Sequence, residues 1–187
     1  MKHLREFIKI LMLCIGAAIA YGVIHDQITA RICVEYFTVA HPPVFSTDSP
    51  TLLGLGWGVI ATWWVGAFLG VLLAIAALAG KWPILPASRL KHPVGRLLMG
   101  VAAVAVVSGL TGYLLTKLGV VGIGGWETAI PRSKHNAFAA DMWAHSASYL
   151  AGFVGGVGLV VRTLRHRWRH SQRSNQSNVR EPMPPSR

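Results

Sequence analysis

Four apolar segments, each close to the length of a membrane crossing, constrain this chain more than any other feature. They cover residues 7–24, 51–79, 94–118 and 137–161. A transmembrane helix needs roughly 20 mostly apolar residues. Because backbone polar groups in lipid must be satisfied within the segment, an open sheet is excluded and helices are predicted. The predicted fold is an all-α integral membrane four-helix bundle.

The composition supports this prediction. Only 13% of the 187 residues are charged and 52% are hydrophobic, whereas a soluble domain carries about 25% charged residues. Residues 1–170 are therefore predicted to form one membrane domain. The remaining residues, 171–187, are mostly Ser, Asn, Gln, Arg and Pro. They offer almost nothing to bury, and we expect a disordered basic tail.

The positive charges alternate between compartments. The net charge is +11: the N-terminus holds +2, residues 81–96 hold +4, residues 162–187 hold +6, and the remaining segments together hold −1. Four helices with both termini in the cytoplasm place these three regions on the inner side, as the positive-inside rule requires. This pattern predicts an N-in/C-in protein, here of a bacterial inner (cytoplasmic) membrane with the lipid bilayer as its surroundings. It argues against nucleic acid as a partner.

The N-terminus also permits another interpretation. A basic start, an apolar core and the segment Ala18-Ile19-Ala20 are typical of a cleaved signal peptide. Three helices would then remain and His25 would lie near the new N-terminus. An uncleaved anchor is the preferred interpretation.

Prolines and loop residues suggest where the elements begin and end. Ser49 followed by Pro50 indicates the start of the second helix, and Pro93 is interpreted in the same way for the third. The long outer loop contains residues 31–39, rich in β-branched and aromatic side chains. They are predicted to form a short strand or to continue the first helix. His41-Pro42-Pro43 ends either element.

Polar side chains are confined to the outer halves of the predicted helices. The inner halves are almost purely Ala, Val, Leu, Ile and Gly, whereas the outer halves carry Tyr, Trp, Thr, Ser, His and Asp. Polar groups at membrane depth usually face the bundle interior or a watery cavity. We therefore expect one outward-facing polar pocket shared by all four helices above a sealed inner half.

The strongest group of polar residues lies on the fourth helix. Asp141 and His145 are four residues apart, so they share one helical face. His and carboxylate ligands suit a divalent transition metal such as Zn, Fe, Cu or Mn. Glu35 and Asp141 are the candidate catalytic carboxylates. The full predicted ligand set is His25, Asp26, Glu35, His41, His135, Asp141 and His145.

Histidines on separate helices loosely resemble those of four-helix cytochrome b proteins. The resemblance implies a haem-binding redox protein with His25 and His145 as the axial pair. Those proteins usually carry more intramembrane histidines than this chain does.

A third hypothesis needs no cofactor. Gly66 with Gly70, and Gly152 with Gly156, form two four-residue steps that allow close helix packing. The chain would then be a non-catalytic membrane subunit that packs on a partner protein, or on a second copy, through its glycine-rich faces. In this interpretation Asp141 only pairs with a nearby His or Arg31.

Overall fold

The computed structural model describes the backbone of residues 1–180 and the side chains of residues 1–173. The described residues are helical and contain no strand. The α-helices are α1 (Lys2–Ile32), α2 (Val34–Thr38), α3 (Pro50–Ile60), α4 (Trp63–Leu78), α5 (Ala87–Lys117) and α6 (His135–Arg180). Two 3-10 turns, Gly124–Trp126 and Arg132–Lys134, lie between α5 and α6.

In the described part of the chain, four helical segments are long and apolar enough to cross a membrane: α1, α3 together with α4, α5, and α6. The predicted four-helix membrane protein is confirmed at this level. The helices extend beyond the predicted spans, because their basic ends remain helical. α6 continues through Arg180 into the segment predicted to be disordered, and residues 181–187 lie outside the described residues.

The second span is broken into α3 and α4 at Ala61 and Thr62. The Thr62 hydroxyl donates a hydrogen bond to the carbonyl oxygen of Gly58, four residues earlier. Such side-chain bonds to the preceding turn bend helices. The break was not predicted from the sequence.

The two proline predictions had different outcomes. Pro50 is the first residue of α3 and Ser49 precedes it, as predicted. Pro93 lies inside α5, which already begins at Ala87, so its predicted position at a helix start is wrong. The stretch after α1 is helical: α2 is a separate short helix, set off from α1 by the extended backbone of Cys33.

The helices form a bundle in which α1 packs on α3, α4 and α5, and α6 packs on α4 and most closely on α5. Residues 33–49 and 118–134 lie at one end of the bundle, called the loop end here. The start of α1, the last described part of α6 and the connection between α4 and α5 lie at the other, called the basic end.

Glycines bring several of these helices into close contact. A Cβ on Gly66 would lie 2.7 Å from the carbonyl oxygen of Cys14, and one on Gly70 would lie 3.0 Å from the Cys14 Cβ. Gly156 packs on Leu69 in the same way, but a Cβ on Gly152 would meet no atom within 4 Å. Three of the four glycines predicted to serve a packing surface therefore pack within the chain, whereas Gly152 contacts nothing within it.

Buried apolar clusters close both ends of the bundle. The cluster at the basic end includes Ile10, Leu73, Ala77 and Leu90. At the loop end, Phe37, Leu53 and Trp57 form one cluster and residues around Phe138 form another. Between the clusters lies a cavity of about 150 Å³, walled by all four spans.

Candidate metal centre

Three predicted ligands meet at the loop-end part of this cavity: His25 and Asp26 from α1 and His145 from α6. One potential ligand atom from each lies within 4.8 Å of the others. Nε2 of His145 lies 3.2 Å from Oδ1 of Asp26. The rings of His25 and His145 meet edge to face, with centroids 4.5 Å apart. Consecutive residues on α1 supply two of the groups, and the contact between α1 and α6 adds the third.

The tautomer of His145 follows from its hydrogen bonds. Its Nδ1 lies 2.8 Å from the backbone carbonyl oxygen of Asp141, one turn earlier on α6. A carbonyl only accepts, so Nδ1 carries the hydrogen and Nε2 of the neutral ring holds a lone pair. That lone pair faces the carboxylate of Asp26, which is also an acceptor when ionised. Two acceptors at this distance need a cation or a shared proton between them.

His25 supplies a second unsatisfied nitrogen. Its Nε2 is buried and has no hydrogen-bond partner among the described residues. Its ring stacks on Tyr21, with the centroids 5.6 Å apart. Tyr21 in turn shares a 2.8 Å hydrogen bond with Ser148, so the phenol is held by α6 and leaves the histidine nitrogen free.

Aromatic side chains of α2 cover the cluster from the loop end. The rings of Tyr36 and Phe37 lie 4.5 and 5.6 Å from the ring of His145. Burial raises the pKa of the Tyr36 phenol, which stays neutral. These contacts exclude water from one side of the cluster. Neither aromatic residue was predicted from the sequence, and their position in a β-branched and aromatic loop was the only signal.

His41 lines the same cavity but lies outside the three-ligand group. Its Nδ1 donates to the carbonyl oxygen of Tyr36 at 2.8 Å, and its ring stacks on Phe37. Burial lowers the pKa of His41, as does the neighbouring His145, despite the hydrogen bond to Tyr36. The imidazole is therefore neutral at pH 7, with its lone pair on Nε2.

Two further predicted ligands, Glu35 and His135, also lie outside the three-ligand group. Glu35 accepts a hydrogen bond from the Cys33 thiol and pairs with Lys134 at 3.6 Å. His135 bonds through Nε2 to the carbonyl oxygen of Ile130. Both therefore have local partners and do not join the group.

Asp141 lies outside the three-ligand group. Its carboxylate is fully buried, and neither oxygen accepts a hydrogen bond within the described part of the chain. The backbone amide of Cys33 lies close by but donates to Thr29. Arg31 bonds to Gln27 and Thr51 instead, so the expected pairing of Asp141 with Arg31 or a histidine side chain is wrong. It is the carbonyl of Asp141, not its carboxylate, that orients His145.

The expectation that all four spans contribute polar groups is correct for three of them. α1 and α6 supply the ligands, and the span of α3 and α4 supplies Trp57 and Thr62. α5 lines the cavity with apolar residues only, including Val94, Leu97 and Val101. Its Ser108 instead donates to the carbonyl oxygen of Trp143.

Comparisons of this chain with protein-family models, curated proteins and solved structures find no match. The site therefore rests on its own geometry.

Proposed function

We propose that this integral membrane protein binds one divalent transition metal ion through His25, Asp26 and His145. The observation that carries the proposal is the approach of His145 Nε2 to Asp26 Oδ1 at 3.2 Å, with the other ring nitrogen already bonded to a carbonyl. Metal–nitrogen and metal–oxygen bonds are roughly 2.0–2.2 Å long. Two ligands of one ion are then separated by a distance close to the one found here.

The surroundings of the three ligands also support the binding of a metal ion. Buried charges are paired or coordinate metals, and both Asp26 and His145 are more than nine-tenths buried. The unpartnered Nε2 of His25 supplies a third ligand after a small shift of its ring. The bond from His145 Nδ1 to a backbone carbonyl is the kind of outer contact that fixes metal-binding histidines.

Three protein ligands leave a coordination position open. Catalytic metal sites of this kind use the open position for water or substrate. Here it would face the cavity, and His41 on the same wall is a neutral base that can accept a proton. Glu35 is engaged with Lys134, so we replace it with His41 as the base of a catalytic form of the site.

Haem is less well supported by the geometry than a single ion. The cavity measures about 150 Å³, whereas pockets for large organic ligands occupy about 300–1,000 Å³. Asp26 also lies against His145 on the side where a haem iron would bind. The alternative of a packing subunit has no specific support, because Gly66 and Gly70 are used inside the chain.

Metal analysis of the purified protein tests the proposal. Protein reconstituted with Zn²⁺ and freed of excess ion should hold about one metal per chain, measured by mass spectrometry. His25→Ala and His145→Ala should each lose it. His92→Ala is the matched control, because His92 is exposed and outside the site. Equal metal content in His145→Ala and the unchanged protein would overturn the proposal.

We further propose that both termini are cytoplasmic and that the metal site faces outward. The support is the clustering of basic residues at the basic end, away from the site. Cleavage after Ala20 would remove Cys14, Ala17 and Ala18 from the cavity wall, which favours an uncleaved α1. Alkaline phosphatase fused after Pro43 or Gly125 should be active, and fusions after Pro86 or Ser171 should be inactive. An active fusion after Pro86 would contradict this proposed orientation.

A further inference from the structure

The cavity changes in character along its length. At the loop end its walls carry the proposed metal ligands together with Tyr21, Ser148 and Tyr149. Towards the basic end the walls are apolar and include Leu69, Leu73, Val94, Leu97, Val101 and Leu159. On α1 the lining runs from Cys14 to Asp26, a rise of about 18 Å at about 1.5 Å per residue. The space is therefore long and narrow, polar at one end and apolar along the rest.

This shape excludes several classes of ligand. A volume of about 150 Å³ matches that of an engineered apolar cavity of about 150 Å³ that binds benzene. It is too small for a bulky ring system or a second helix. A short, thin alkyl chain is compatible with this volume and length, and apolar cavities that stay dry bind apolar groups.

An apolar groove on the surface of the bundle adjoins the cavity. This groove, between α1 and α5 with α6 at its floor, is lined by exposed apolar residues such as Ile24, Ile28 and Leu110. Ala17, Tyr21, His25 and Leu98 line both this groove and the central cavity. The two spaces therefore meet at these side chains, and a lipid-phase molecule in the groove lies next to the cavity wall.

We propose that the cavity binds a single-chain amphiphile from the bilayer, with its head oxygen at His25, Asp26 and His145 and its alkyl chain among the apolar side chains. The placement of the head rests on the proposed metal site. A divalent ion with one carboxylate and two neutral imidazoles keeps a net positive charge, which favours a carboxylate head such as that of a fatty acid. The binding of the chain rests on the apolar walls alone.

Gly152 offers a way to fill the cavity without disturbing the bundle. It lines the cavity one turn from Ser148, and a Cβ there meets no atom within 4 Å. A phenylalanine at this position would project into the cavity. Gly158, on the same helix, is exposed and also has nothing within 4 Å of a Cβ, but it does not line this cavity. Gly158→Phe is therefore the matched control.

The probe is an octanoic acid analogue with a photoreactive diazirine in its chain, added to Zn²⁺-loaded protein in phosphatidylcholine nanodiscs. We expect saturable labelling of peptides containing Leu69, Leu73 or Leu97, at least tenfold weaker in Gly152→Phe and unchanged in Gly158→Phe. Equal labelling of the two variants, or labelling confined to lipid-exposed residues such as Ile28 and Met99, would overturn the proposal.

Two further measurements separate the parts of the proposal. Unlabelled octanoate should compete at least tenfold better than octane, and equal competition would overturn the placement of the head. Zinc content is measured on the same samples. Bound zinc without cavity labelling overturns this inference and leaves the metal site standing, whereas cavity labelling without bound zinc overturns the metal site and leaves the alkyl chain in place.

Discussion

Nε2 of His145 lies 3.2 Å from Oδ1 of Asp26, and the same imidazole is held through Nδ1 by a backbone carbonyl. The two groups come from positions 119 residues apart in the chain. Without metal, the contact requires a shared proton. With metal, the ion takes its place and both groups act as ligands.

This arrangement predicts an unusual outcome for Asp26→Asn. The asparagine amide can donate to the lone pair of His145 Nε2, so the free energy of unfolding of the metal-free protein should change by about 1 kcal/mol or less. Zinc affinity, measured by calorimetric titration, should fall by more than about 100-fold. Loss of an outer-shell partner costs about 10–100-fold, and a direct ligand should cost more. Unchanged zinc affinity in Asp26→Asn would remove this carboxylate from the site.

Arg167 should stabilise the basic end of the bundle. Its guanidinium is 1% exposed and donates hydrogen bonds to the carbonyl oxygens of Ala76, Ala79, Trp82 and Pro83. These carbonyls lie at and after the end of α4, where a cation also complements the helix dipole. Arg167→Met should therefore destabilise the protein by about 2–4 kcal/mol. The exposed Arg165→Met is the control, and an equal effect of both variants on thermal unfolding would contradict this role.

Gly22 should tolerate no side chain. A Cβ at this position would lie 2.5 Å from the carbonyl oxygen of Gly58, at the break between α3 and α4. Gly22→Ala should destabilise the bundle by about 1–3 kcal/mol, since backbone atoms must move. Gly16, on the same helix, has nothing within 4 Å of a Cβ, so Gly16→Ala should stabilise it by about 0.5–1 kcal/mol. Thermal unfolding of both variants measures the difference, and effects of the same sign would contradict the packing.

His41 should make the fold sensitive to acid. Its pKa is lowered in the folded protein by burial and by His145, so the unfolded chain binds the proton more tightly. Stability is then lost as the pH falls through the unfolded value of about 6.5 and continues to fall until the folded His41 is protonated. His41→Asn keeps a donor for the Tyr36 carbonyl and removes the titration. The unfolding midpoint of this variant should fall less between about pH 7 and pH 5 than that of the unchanged protein. If the midpoints of both proteins fall equally with pH, His41 is not a source of the acid sensitivity.

The membrane fold was predictable because lipid imposes one solution on long apolar segments. Four such segments required four helices, and the position of Pro50 marked where one begins. Pro93 misled the prediction because a proline near the start of a helix does not reveal how far the helix extends before it. Likewise, the break at Thr62 depends on a hydrogen bond from its hydroxyl to the preceding turn. The sequence does not show which of its serine and threonine side chains form such a bond.

Sequence alone determined that polar groups concentrate near one end of the spans and that His25, Asp26 and His145 were candidates among seven residues. Tertiary structure decided which of them meet. Helical periodicity relates residues within one helix, so it placed Asp141 and His145 on a common face. Helical periodicity carries no information on how α6 is rotated relative to α1. The packing of the neighbouring helices sets that rotation. That rotation turns His145 towards Asp26 and leaves the Asp141 carboxylate buried without a hydrogen-bond partner among the described residues.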